Sequence, residues 1–64
     1  MSRHLILQHP HIEQCDLSAL QTLIAASPMR VNERVMRYSV ADTLVLPDVV
    51  IDVLNQQQID YALL

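Results

Sequence analysis

Apolar and polar positions change their period several times along this chain, and each change marks an element. Residues 3 to 8, RHLILQ, are apolar at Leu5, Ile6 and Leu7 and are closed by His9 and Pro10. The run predicts a first strand, central in its sheet because it is apolar toward both faces. It should end near Pro10, which has no N–H for the ladder. The spacing then turns helical over CDLSALQTLIAAS, where Leu17, Leu20 and Ile24 form a stripe with Leu23 beside it. Asp16 is placed to cap the first turn, and Ser27-Pro28 should end the helix, because the residue before proline is pushed out of helical geometry.

The next segment, RVNERVMRYSVAD, alternates. Met36, Tyr38 and Val40 fall on one face and Val35, Arg37 and Ser39 on the other, as in a strand with one wet face. Residues 41 to 46, ADTLVL, read either as a short further strand or as a lead-in to a helix. Pro47 suits the first turn of that helix, Asp48 suits the positive end of its dipole, and Val50, Val53 and Leu54 supply its apolar stripe. Polar NQQQ ends it. IDYALL then alternates again, with Ile59, Tyr61 and Leu63 opposed to Asp60, Ala62 and Leu64.

The order is strand, helix, strand, an optional short strand, helix, strand. It predicts a single α+β domain over residues 1 to 64: a small ferredoxin-like sandwich with a three- or four-stranded sheet and two helices on one face. Pairing by residues 43 to 46 would complete a β-α-β-β-α-β unit. The chain has no glycine, and a tight two-residue hairpin prefers Asn-Gly or Asp-Gly. A wider connection around Ala41 to Thr43, or only three strands, is therefore expected. One sheet face would lack helices, and surplus apolar surface should lie there. Met36, Tyr38, Tyr61 and Leu63 are the first residues to consider for an interface, read as sheet-face core or interface rather than as ligand contacts.

Composition sharpens that expectation. Of 64 residues, 52% are apolar, yet a domain this small buries only about 60% of the surface its unfolded chain exposes. Some apolar surface should be left over, and a continuous patch of it marks a contact with another protein or domain. The single cysteine, Cys15, rules out an internal disulfide and suits a reducing cytosol. No apolar run approaches the ~18 residues of a membrane span, and the first residues lack the sections of a secretion signal. A soluble, cytoplasmic protein without a membrane partner is expected.

Charge argues against nucleic acid. The balance is four basic against seven acidic residues, a net −3. Arg30, Arg34 and Arg37 cluster in sequence, but Glu33 lies among them and Tyr38 and Tyr61 are the only aromatic residues. Phosphate binding wants denser cations and stacking partners. A solvated strand edge, where charge discourages unwanted pairing, is the simpler account.

Candidate chemistry is sparse. His4, His9, His11 and Cys15 lack the paired spacing of a structural zinc site, and a lone Cys15 cannot supply the thiolate pair of a copper chaperone. As a nucleophile Cys15 would need a base and a lowered pKa; a partly buried small side chain is the expected role. Asp16, Asp42, Asp48, Asp52 and Asp60 are scattered and form no carboxylate pair for acid–base or magnesium chemistry. Without glycine there is no phosphate loop. No catalytic, cofactor or metal residue is expected in these residues.

HLILQHP, DLSALQTLIAAS, RVMRYSVAD and VLNQQQIDYALL, taken together over residues 4 to 64, resemble the short N-terminal domain preceding the catalytic domain in proteobacterial phosphoserine phosphatases of the haloacid dehalogenase superfamily. IDYALL is the most specific piece. The resemblance implies an ACT-like accessory domain that packs on its own catalytic domain or pairs subunits, with an amino acid such as serine as an effector class. It implies that the chain stops where the catalytic domain begins. That absent part would carry the D-x-D-x-T nucleophile motif, the magnesium site and the phosphoserine pocket, and would hydrolyse O-phosphoserine to serine and phosphate in serine biosynthesis. The alternative is a stand-alone module for homodimerisation or protein–protein interaction.

Overall fold

In the computed structural model, which describes residues 2 to 25 and 27 to 64, six regular elements follow one another. They are β1 (Ser2–Gln8), α1 (Ser18–Leu23), β2 (Met29–Arg30), β3 (Val35–Ala41), α2 (Asp48–Gln56) and β4 (Asp60–Leu63), with one 3-10 turn at Ile12–Gln14 between β1 and α1. The sheet order is β2-β3-β1-β4, and every neighbouring pair is antiparallel. Each helix joins two strands that have a third between them: β3 separates β1 from β2, and β1 separates β3 from β4. The result is a four-stranded ferredoxin-like α+β sandwich.

β1 is central, as its apolar run predicts. Leu5 stands opposite Tyr38 on one side and Leu63 on the other, and Leu7 opposite Met36 and Tyr61. Leu5, Leu7 and Tyr38 are fully enclosed, and with Val40 they meet Leu17, Leu20 and Ile24 from the α1 region and Val50, Leu54 and Ile59 from the α2 region. Because side chains alternate across a strand, this cluster puts both helices on one sheet face. Burying a side chain of this kind is worth about 1.5–3 kcal/mol, so β1 and β3 carry much of the fold's stability.

The fourth strand is not at residues 43 to 46. Leu44 and Leu46 instead turn partly into the core as the chain rises to Pro47, whose extended backbone (φ −63°, ψ 152°) leads directly into α2. The additional strand is Met29–Arg30, which pairs with Arg37 and Met36 of β3. The alternation of residues 30 to 42 thus spans two strands and the turn between them. The wide connection falls at residues 31 to 34 and replaces glycine with an asparagine: Val31 and Asn32 N–H groups both donate to the Val35 carbonyl, at 3.0 and 3.3 Å, and Asn32 Oδ1 accepts from Arg34 N–H at 2.8 Å. Asparagine bonds to its own backbone two residues on, which is how it stabilises turns.

α1 is shorter than its apolar spacing predicts. It stops at Leu23, and Ile24 adopts extended backbone (φ −111°, ψ 112°) while burying its side chain in the core. The chain leaves helical geometry ahead of Pro28; Ala26, within the expected helical run, lies outside the described residues. The N-cap is Leu17, which makes no side-chain capping bond. Asp16, one residue before it, instead braces the turn into the helix, its Oδ1 accepting from Ser18 N–H at 3.1 Å and Ser18 Oγ at 2.6 Å.

The end of α2 is well ordered without glycine. Ile59 N–H donates to Leu54 C=O at 2.9 Å and Gln58 N–H to Asn55 C=O at 3.0 Å, the two bonds of a Schellman motif. Ile59 and Leu54, both buried, make its accompanying apolar contact. Gln58 holds the left-handed position, φ 59°, usually taken by glycine. The Gln57 side chain ties this corner to the loop before α1: its Nε2 donates to the Asp16 carbonyl at 2.8 Å, and its Oε1 accepts from the Asp16 N–H.

Candidate functional site

The second face of the sheet carries no helix. Strand alternation and register place three rows of residues on it. Ser39, His4 and Leu64 form the first row, Met29, Arg37, Ile6 and Ala62 the second, and Val31, Val35, Gln8 and Asp60 the third. His4 and Leu64 exchange backbone hydrogen bonds of 3.0 and 2.8 Å, so the pairing of β1 with β4 reaches Leu64. Six of these positions are apolar, and among them Leu64, Met29 and Val31 are 70%, 56% and 53% exposed. Antiparallel sheets with one wet face usually alternate cleanly between apolar inside and polar outside. This one leaves Ile6, Ala62, Met29 and Val35 in a band across its middle.

Two charges interrupt the band. Arg37 is half-buried, with its Nη2 lying 2.9 Å from Met29 Sδ. Asp60 is exposed at the far side, beyond β1. Two strand spacings and one two-residue step separate their Cα atoms by roughly 12 Å. Among the described residues the ion pair within 4 Å is Arg30 Nη1 with Glu13 Oε2, at 2.9 Å, so neither Arg37 nor Asp60 has a partner of opposite charge there.

Met36, Tyr38, Tyr61 and Leu63 lie together on the other, helix-covered face. Tyr38 is fully enclosed, Met36 and Leu63 pack partly buried against the core, and Tyr61 is 38% exposed near the sheet edge. The Tyr38 hydroxyl has no hydrogen-bond partner of acceptable geometry. Burial pushes its pKa up, and the Gln21 side chain opposes this only weakly, near enough to act on the hydroxyl without forming an aligned bond.

A shallow groove of about 420 Å³ opens between the loop before α1 and the β2 edge, with Glu13, Cys15, Asp16, Gln21, Arg30 and Met36 in its lining. Its charged groups and its thiol already have partners. Arg30 pairs with Glu13. Asp16 is held below the usual carboxylate range by the side-chain and backbone hydrogen bonds from Ser18. Cys15 directs its thiol at the His11 carbonyl at 3.5 Å, and partial burial raises its pKa, the opposite of what a thiolate nucleophile needs.

His9 and His11 do not converge on a common point as ligands. His9 Nδ1 accepts from the His11 backbone N–H at 2.9 Å, and the rings are 6.4 Å apart. Among the described residues no three His, Cys, Asp or Glu side chains come together as a metal site, and no helix is long and apolar enough to cross a membrane. Arg30, Arg34 and Arg37 diverge: Arg37 rises from the uncovered face, Arg30 reaches Glu13 beside the groove, and Arg34 sits in the turn between β2 and β3.

The apolar band was hidden in the sequence because its members come from four separate segments. The alternation of β3 and β4 assigns each residue a face, but only the β1 register brings Ile6 between Arg37 and Ala62. No family model matches this chain, and neither a curated protein nor a solved structure does.

Proposed function

We propose that this chain is a non-catalytic association domain, an ACT-like accessory unit whose uncovered sheet face is its contact surface. The observation that carries this is the band of Ile6, Met29, Val35 and Ala62 on the face without helices. Met29 and Ala62 are exposed and Ile6 and Val35 half-buried, and apolar side chains gathered on an uncovered face are the kind of surface that serves as an interaction site. The side chains most suited to chemistry have other roles here: Asp16 bonds to Ser18 in the turn into α1, Cys15 is a raised-pKa thiol, and His9 braces a turn.

The resemblance in HLILQHP, DLSALQTLIAAS and IDYALL favours a magnesium-dependent phosphoserine phosphatase of the haloacid dehalogenase superfamily as the parent. Magnesium and the phosphoserine pocket would then belong to a following catalytic domain in the cytoplasm. A stand-alone interaction module is the second reading, favoured by the same exposed band.

The test is to read the coding frame beyond Leu64 and assay its product for magnesium-dependent phosphate release from O-phosphoserine, with and without residues 1 to 64. A downstream Asp-x-Asp-x-Thr sequence, with hydrolysis that persists when residues 1 to 64 are removed, supports the accessory role. A frame that encodes no such motif, and a product that releases no phosphate, refutes the phosphatase parent and leaves the stand-alone module.

A further inference from the structure

We propose that the occupant of the uncovered sheet face is a second copy of this chain, packed face to face about a two-fold axis that runs along β1. This inference rests on the chain being an association domain and names its partner. The case for a second copy is that the face is complementary to itself. Arg37 and Asp60 lie on opposite sides of β1, one on β3 and one on β4, each without an opposite charge among the described residues.

Rotation about an axis along β1 superposes β3 of one copy on β4 of the other. Arg37 of one copy then stands above Ala62 of its partner, with the partner's Asp60 one two-residue step further along. Facing sheets pack about 10 Å apart and the step is about 6.8 Å, so the two Cα atoms are roughly 12 Å apart, within the combined reach of an arginine and an aspartate side chain. Ala62 is the smallest apolar residue on the face, and it leaves room for the arginine stem to cross. The symmetry makes the ion pair twice and sets Ile6 against Ile6 at the centre. An isologous contact needs this self-complementarity.

The size of the face sets the strength. With the axis along β1, only β3, β1 and β4 meet counterparts and β2 falls outside the contact. Three strands and three rows give roughly 14 by 20 Å, or about 300 Å² on each copy, under half of the ~800 Å² per partner in a standard specific interface. The dimer is therefore weak and concentration-dependent, with opposite charges fixing its register more than its strength.

Sedimentation equilibrium of the 64-residue chain, as wild type, Arg37→Asp, Asp60→Arg and the double variant, tests this. Both substitutions are at the sheet surface, and far-UV circular dichroism checks that each variant is folded. The expected result is reversible dimerisation, weakened about 10-fold or more by either single reversal and restored to within ~3-fold of wild type in the double variant. Ala62→Arg, which fills the space left for the partner's arginine, should also weaken it.

A chain that stays monomeric to ~1 mM, or a dimer indifferent to all four variants, overturns the proposal. A monomer that still docks on a catalytic domain encoded after Leu64 overturns the second copy alone and leaves the accessory role standing. A charge-swappable dimer in a chain with no phosphatase partner supports the proposal and refutes the phosphatase parent.

Discussion

Replacing Tyr38 with phenylalanine should stabilise the domain. Tyr38 is fully enclosed opposite Leu5 at the centre of the sheet, and its hydroxyl has no hydrogen-bond partner. A buried polar group left unpaired costs about 1–3 kcal/mol, whereas phenylalanine keeps the ring and its apolar contacts. With Gln21 offsetting part of the cost, the gain should be about 1 kcal/mol. At a urea slope of about 1 kcal/mol/M for a chain of this size, the midpoint should rise by about 1 M, and Tm by about 4–8 °C.

The alkaline side provides an independent reading of the same group. Burial raises the Tyr38 pKa in the folded state, so the stability tied to the protonated phenol is complete below the unfolded tyrosine value of about 10. It is lost as pH rises from there through the raised folded value. Tyr38→Phe should remove that loss, and its advantage over wild type should widen above about pH 10. A lower urea midpoint for the variant at neutral pH would refute the reasoning, because it would mean that the hydroxyl is bonded in solution. A double-mutant cycle with Gln21→Ala would then show whether Gln21 is the partner.

Three further substitutions probe the corners of the fold. Gln58→Gly should stabilise by about 0.5–1 kcal/mol in chemical denaturation, because a side chain at φ 59° strains a position that glycine occupies freely. Gln57→Ala should cost about 1 kcal/mol and speed amide exchange at Asp16, since it removes both bonds between the α2 corner and the loop before α1. Asp16→Asn should be less stable than wild type at neutral pH. The lowered Asp16 pKa gives stability above the ordinary aspartate value of about 3.9 that is lost as pH falls through the folded value, so the two unfolding curves should converge in acid.

The sequence made the helices and three of the strands legible because their apolar spacing coincides with burial. Leu5 and Leu7, Tyr38 and Val40, and Val50 and Leu54 all repeat at the period of their element and all reach the core. β2 was not legible. Two residues cannot display a period, and Met29 and Arg30 are exposed, so only the Asn32 turn returning the chain to Val35 identifies them as a strand. Residues 43 to 46 misled for the converse reason: Leu44 and Leu46 alternate as a strand would, but they fill the core from a loop.

The same distinction explains the interface residues. Met36, Tyr38, Tyr61 and Leu63 share the face that the helices cover; Tyr38 lies in the core and Met36 and Leu63 pack against it, while Tyr61 stays exposed at the sheet edge. The uncovered face was identified as the place for surplus apolar surface, but its members are spread over β1 to β4. Its charge pattern arises only when β1 separates Arg37 from Asp60, a long-range pairing that no local period encodes.

The most direct test of association through the uncovered face is a concentration series of amide proton–nitrogen correlation spectra, from ~10 μM to ~1 mM, spanning the range in which a contact of this size should form. Shifts that move with concentration should cluster at His4, Ile6, Arg37 and Ala62, while Leu20, Tyr38 and Leu54 stay in place. Spectra that do not change, or shifts gathered instead around Glu13, Asp16 and Arg30 at the groove, would contradict it.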